Sequence, residues 1–332
     1  MAKNKKKKKN KVQPHTHSGK YVEYDEQDDI KDLLDEEPTV VIIKENPLLR
    51  KIQLPGQMFR LPSRGIFYKD GELDKKIIDG EVEVFPMKTI DEITLKTTDM
   101  IFQGTAITRV FERCIPDIKK PLKLLSEDVD YLIGCLRQVS YGNALPIKAN
   151  CEQKSCEKHP VREYTIPLNQ ILISNTTELD DKNIEKDYTY VLHNEALNTT
   201  QDIQFKPILF EQLVKMYQFR AEQDMSFQEI ENDDDVDAAL EKALSDFVTM
   251  TISSLVESVD GITDRDHIFE WCAKLPIKFK DELAEKVEGQ TDWGTKFEYT
   301  VECFDCQSPI DLTASLNPVG FFTLPSSPTK ST

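Results

Sequence analysis

Cys151-Glu152-Gln153-Lys154-Ser155-Cys156 and Cys303-Phe304-Asp305-Cys306 are two short cysteine pairs near opposite ends of the apolar-patterned part of this chain. The first is a C-x4-C with His159 three residues on, and the second is a C-x2-C. A tetrahedral zinc site takes two ligands from each of two tight loops, and this is the spacing at which one loop can present both sulfurs. The pairs therefore read as halves of one four-thiolate site, with Cys151, Cys156, Cys303 and Cys306 as ligands of a structural Zn2+. His159 is the alternative to Cys156, although its place before Pro160 in a surface loop suits a bystander. A clip across so much chain would make metal binding report on the whole fold rather than on a local finger.

The flanks of each pair support loops rather than a redox motif. A thioredoxin-type pair sits at a helix N-terminus in a βαβ unit. Here Phe297-Glu298-Tyr299-Thr300-Val301 alternates like a strand into Cys303, and Gln307-Ser308-Pro309 follows Cys306, as expected of a hairpin knuckle. A thiol oxidoreductase using Cys303 and Cys306 is the weaker reading. Cys114 and Cys135 fall inside helical patterns without a cysteine partner nearby and read as buried thiols.

Working outward, Leu54-Pro55-Gly56 through Tyr68 is punctuated by Pro and Gly, and Glu81 to Met87 alternates polar and apolar, so both read as strand and turn. The period then changes. Thr89 with Glu92 is expected to form a capping box opening a short helix. Ile107, Val110, Phe111 and Cys114 recur at helical spacing up to Pro116, and a third helix from a Ser126 cap to Gly142 carries Val129, Leu132, Ile133, Leu136 and Val139. Tyr164 to Ile166, Tyr188 to Leu192 and Ile203 to Pro207 read as strands. Leu213 to Tyr217 suggests a helix, and Asn232 to Asp237 an acidic connector that lacks the central Gly and twelfth-position Glu of a calcium loop.

The longest amphipathic helix is expected over Val236–Val259, with Leu240, Leu244, Phe247, Val248, Ile252, Leu255, Val256 and Val259 on one core-facing stripe. Thr263 with Asp266 caps the next helix, which turns Ile268, Trp271, Cys272 and Leu275 inward, and a last helix through Leu283 and Val287 ends at Gly289. The fold class is α+β: short antiparallel β segments with a zinc-ribbon-like module plus two helical blocks. The expected divisions are 1–38 (disordered basic and acidic tail), 39–87 (β, from Val40), 88–142 (helical), 143–207 (β, first pair), 208–290 (helical), 291–325 (knuckle and β) and 326–332 (tail).

Composition narrows the function. The 332-residue chain carries seven cysteines and a net charge of -17. An odd cysteine count without a secretion signal fits a reducing compartment, and the acidic body argues against nucleic acid and anionic membranes. No stretch approaches the ~18 apolar residues of a bilayer span. The lysines at 3, 5–9 and 11 give a nucleic-acid-binding zinc-ribbon protein as the alternative function. There is no H-E-x-x-H, phosphate loop, dinucleotide fingerprint or G-x-S-x-G turn, so catalysis and a small-molecule substrate are not expected. Phe321 and Phe322, close to the C-terminus, are candidate partner-docking residues.

The run Leu61-Pro62-Ser63-Arg64-Gly65-Ile66-Phe67-Tyr68 resembles the "LPSKGxFY" opening of baseplate hub and hub-assembly proteins of T-even-like contractile-tailed phages. Asp128-Val129-Asp130-Tyr131-Leu132 through Leu136-Arg137-Gln138-Val139-Ser140-Tyr141-Gly142 is similar to that family's "D-x-x-x-L-x-x-x-L-R-x-x-S-Y-G" helix. The cysteine pair after it, the late C-x-x-C and the terminal Phe321-Phe322 recur in the same order. The helical stretch from Leu209 to Gly289 makes this chain longer than compact members. The resemblance implies a noncatalytic phage structural or assembly protein. It would bind other baseplate hub or wedge proteins, acting in the host cytoplasm during assembly or in the virion tail baseplate.

Overall fold

The computed structural model describes Leu48, Ile52 and residues 54–97, 104–153, 156, 161–179, 184, 188–227, 233–288, 293–314 and 316, without the side chains of 224–227, 233–238 and 288. The chain divides into two units, Met1–Gln53 and Leu54–Thr332, and the architecture below is that of the second. The lysine block, the acidic run, Val40 to Ile43, His159, Phe321 and Phe322 lie outside the described residues.

Glutamate–valine alternation produces the first strand pair. β1 (Gln57–Arg60) runs antiparallel to β2 (Glu81–Val84), with Val82 and Val84 fully buried and Glu81 facing water. α1 (Thr89–Leu95) follows, but its cap is displaced from the expected box. Lys88 holds the cap position and Asp91 reaches back, accepting from Lys88 N at 2.8 Å, while Glu92 pairs with Lys96. Asp91 is buried and also receives the Arg113 guanidinium of α2 (Thr105–Cys114), which is why it, rather than Glu92, points inward. α3 (Ser126–Tyr141) ends at Gly142 as expected, yet Leu125 occupies its cap position and the Ser126 hydroxyl donates to Glu127 instead.

β3 (Ala144–Asn150) and β4 (Val161–Pro167) form an antiparallel hairpin, from Ala144 opposite Pro167 to Asn150 opposite Val161. α4 (Leu168–Ser174) is a helix within a stretch whose strand signals dominated. It buries Leu168, Ile171 and Leu172, the i, i+3, i+4 face of a helix. β5 (Thr176–Thr177) precedes β6 (Thr189–Asn194) and β7 (Thr199–Phe205), which pair antiparallel. α5 (Phe210–Phe227) leads to α6 (Asp233–Leu255), so the Asn232–Asp237 stretch is helical from Asp233 rather than a connector. Carboxylates suit the positive end of a helix dipole, and the acidic run continues into the helix for that reason.

The expected Val236–Val259 helix stops early. Val256–Val259 is β8, which pairs with β7 through Ile203 opposite Val259 and Phe205 opposite Val256. The edge of β7 offers hydrogen bonds that Val256–Val259 can take while burying both valines, a register shift between Gln204 and Phe205 absorbing their three-residue spacing, and this outweighs the helical period. α7 (Arg265–Lys274) is capped by Asp264, whose carboxylate accepts from His267 N at 2.9 Å, one residue after the expected Thr263. α8 (Ile277–Glu288), β9 (Gly294–Thr295), β10 (Glu298–Glu302) and β11 (Pro309–Thr313) complete the chain. β9 pairs with β5, and β10 pairs with β11.

The result is α+β with short antiparallel strands, built on two apolar cores. The first gathers α2, α3, α4, the β1–β2 pair and the bases of the two hairpins, including Val84, Phe111, Leu132, Leu145, Ile166 and Leu312. The second lies between the β6–β7–β8 sheet, the end of α6, α7 and α8, with Phe205, Val256, Ile268, Leu283 and Trp293. α3 is the shared support. At Gly134 a Cβ would lie 2.9 Å from both Leu172 Cδ2 and Phe297 Cζ, so α4 and the approach to β10 lie directly against this helix. Two hairpins far apart in sequence are thereby anchored on one helix, with their free ends left to meet.

Candidate metal centre

The free ends of the hairpins are the two cysteine loops. Cys151 follows the last residue of β3, and Cys303 follows the last residue of β10. The second loop is a tight knuckle. Cys303 N donates to Ser308 O at 2.9 Å, Gln307 N donates to Cys303 O at 2.9 Å, and Gln307 adopts φ +59° to close it. In the first loop Cys156 N donates to Gln153 O at 2.9 Å. Each turn spends its backbone hydrogen bonds on itself and projects its sulfurs toward the other.

All four sulfurs lie within 4.8 Å of one another. Cys151 Sγ is 3.6 Å from Cys306 Sγ, and Cys156 Sγ is 4.0 Å from Cys303 Sγ. A tetrahedron with Zn–S bonds of ~2.3 Å has edges of ~3.8 Å, so the spacing suits four thiolates around one ion. Among the described residues this is the one group of three or more Cys, His, Asp or Glu side chains with converging ligand atoms. Cys151, Cys156 and Cys303 are buried, Cys306 is half-buried, and Ile310 packs beside them. The donor set is soft and complete, which fits a closed structural site and leaves no open position for substrate.

The electrostatics of the bare thiols are uneven. Ser308 donates to Cys306 from its hydroxyl and its backbone N–H, and holds that thiol down at about 6. Burial, and then Cys303, push Cys156 up to about 12. At Cys151 the Gln153 backbone N–H acts downward, but burial and the neighbouring thiols outweigh it. Burial of sulfurs that repel one another as thiolates is what a divalent cation would offset. The remaining thiols are unlike these: burial raises Cys114 to about 12 and Cys272 to about 11, and each lies within a helix away from the cluster.

Two contacts between the hairpins, from β4 to the second loop, were invisible in the sequence. Arg162 of β4 makes a bidentate pair with Asp305, with distances of 3.0 and 2.8 Å. Tyr164 stacks flat on Phe304, with centroids 4.9 Å apart and planes 1° from parallel. Burial and then Cys303 raise the Tyr164 phenol, which places it against the sulfurs. Opposite charges at 162 and 305, and aromatics at 164 and 304, carry no local signal of pairing; only the metal-site spacing could have pointed to these neighbours.

The paired motifs upstream also meet. Ser63 N and Oγ donate to Asp128 at 3.0 and 2.5 Å, and Tyr68 Oη donates to the same carboxylate at 2.7 Å. Asp128 is the first residue of the helix motif, and Ser63 and Tyr68 belong to the Leu61–Tyr68 run. The two sequence signatures are therefore one hydrogen-bonded unit in space.

No curated protein and no solved structure matches this chain. A family model described as T4 bacteriophage base plate protein matches residues 85–309, a span that holds both cysteine pairs and the long helical stretch between them. That match covers more than half of the sequence, and the chain belongs to the T4 bacteriophage base plate protein family.

Proposed function

We propose that this protein is a noncatalytic hub component or hub-assembly factor of a contractile-tailed phage baseplate. It binds other baseplate hub or wedge proteins, and its two hairpins are fastened as a zinc-ribbon-like module by Zn2+ on Cys151, Cys156, Cys303 and Cys306. Family membership supports the baseplate role. The observation that carries the metal is the convergence of four sulfurs, two from each loop, within 4.8 Å. The ion would act as a clip, neutralising the thiolates and holding the knuckles together, with no catalytic step assigned to it. Phe321 and Phe322 are the proposed docking residues near the C-terminus, and the protein acts in the host cytoplasm during assembly or in the virion tail baseplate.

Two measurements test this reading. Metal analysis of the purified protein is expected to give one zinc per chain, falling to none in Cys303→Ser with a lower melting temperature. Unchanged zinc content and melting temperature would remove the shared site. Mass spectrometry of purified particles beside infected-cell lysate addresses the role. Presence in particles selects a permanent component, presence only in the lysate selects an assembly factor, and absence of association with any baseplate protein would defeat both.

A further inference from the structure

Amphipathic helices of globular proteins ordinarily turn their apolar stripe to the core. α6 does this only in its C-terminal half, where Ile252 and Leu255 are each 4% exposed. Three turns earlier the same stripe faces solvent: Leu240, Leu244 and Val248, at i, i+4 and i+8, are 44%, 57% and 41% exposed. α6 packs on α5, and Ala243, within the same turns as the stripe, is buried. Gln212 Nε2 of α5 donates to Ser254 O at 3.1 Å, so the two helices run antiparallel from this join. α5 adds an exposed Tyr217. Solitary exposed apolar residues need no explanation, but a stripe held over two helical turns does.

The charge of this stretch of sequence restricts what can cover the stripe. From residue 210 to 255 the sequence has eleven carboxylates against Lys215, Arg220 and Lys242. Among the described side chains Glu222 and Glu241 are exposed, as are Lys215, Arg220 and Lys242. A second copy of this chain would bring two such runs together, which like-charge repulsion disfavours. The chain's own lysine block at 3–11 has the matching charge but no apolar run to cover Leu240, Leu244 and Val248.

We propose that the α6 stripe of Leu240, Leu244 and Val248 is a docking face for a different protein, whose contacting surface is an apolar strip rimmed by lysine and arginine. The apolar strip supplies burial, and the basic rim supplies orientation and a salt-dependent encounter rate. The proposal rests on the assembly reading only in expecting that partner to be another baseplate chain.

Full-length protein carrying Leu244→p-benzoylphenylalanine, irradiated in infected cells, tests it. The expected crosslink joins position 244 to a peptide of a different chain with apolar residues flanked by Lys or Arg. A control at the exposed Lys242 gives at least tenfold less product. In the triple variant L240S/L244S/V248S, co-purification of the identified partner drops at least tenfold, with zinc content and melting temperature unchanged. No crosslink, a crosslink to another copy, a crosslink to residues 1–53, or a partner surface without basic residues would each overturn the proposal. Particle mass spectrometry separates the two readings: a basic-rimmed partner outside the baseplate leaves the docking face standing and removes the baseplate role.

Discussion

Asp128 shows how a single buried residue ties a motif to a fold. Burial raises its carboxyl from its ordinary range to about 6, against the downward pull of donors on Ser63 and Tyr68. A folded-state value above the unfolded one means the folded protein keeps this proton between about pH 4 and 6. The contribution of Asp128 therefore favours the fold at pH 4 and declines as the pH rises through 6. Tyr68→Phe removes a donor to Asp128 and the acceptor for Leu125 N, 2.9 Å away. We expect it to cost about 1–3 kcal/mol at pH 8, where the carboxylate is charged. The loss should be smaller at pH 5, with urea unfolding at both pH values as the check. An equal cost at both would mean that the phenol does not act through Asp128. Gly80 is the second decisive residue: it sits at φ +73°, and a Cβ there would lie 2.8 Å from Arg64 Cα and C. Because those atoms are backbone and cannot step aside, Gly80→Ala is expected to destabilise by about 2–4 kcal/mol in the same assay.

Among the elements, α6 and β8 were the hardest to read from sequence. One apolar period runs through Leu240 to Val259, yet its parts have three fates: a solvent-facing stripe, a core-facing stripe and a strand. Periodicity identifies residues that want cover and says nothing about which cover is within reach. Truncation separates these fates. Val256→Ala, at a position with no solvent exposure, is expected to cost about 2 kcal/mol, whereas Leu244→Ala should stay within about 0.5 kcal/mol. Chemical denaturation of the two variants decides it, and equal costs would contradict an exposed stripe. The cap positions follow the same lesson on a smaller scale. Asp91 displaced Glu92 because it is the carboxylate that the Arg113 guanidinium of α2 meets, a fact no local pattern contains.

At the scale of the molecule, the sulfur cluster joins residues 147 positions apart between Cys156 and Cys303. Closing a loop of that length in a flexible chain costs ~4–5 kcal/mol, but the hairpin bases already close it by packing on α3. Metal binding should therefore act mainly on the hairpin tips and on global stability through linkage. Removing the proposed zinc with a chelator is expected to lower the melting temperature and to speed hydrogen exchange in β3–β4 and β10–β11. The β6–β7–β8 sheet, whose core contains none of the four cysteines, should keep its protection. Uniform loss of protection would show that the ion supports both cores equally.

Sequence alone determined the α+β class, most strands and helices, and the four thiols as one candidate site. These depend on local periods, turn residues and ligand spacing, all of which are written within a few residues. Tertiary structure decided that Ser63 and Tyr68 bind Asp128, that Arg162 finds Asp305, that β8 leaves the helix it continues, and which half of α6 is covered. Those outcomes depend on free energies of contact between segments far apart in the chain, and a neighbour's position exists only once the rest has folded.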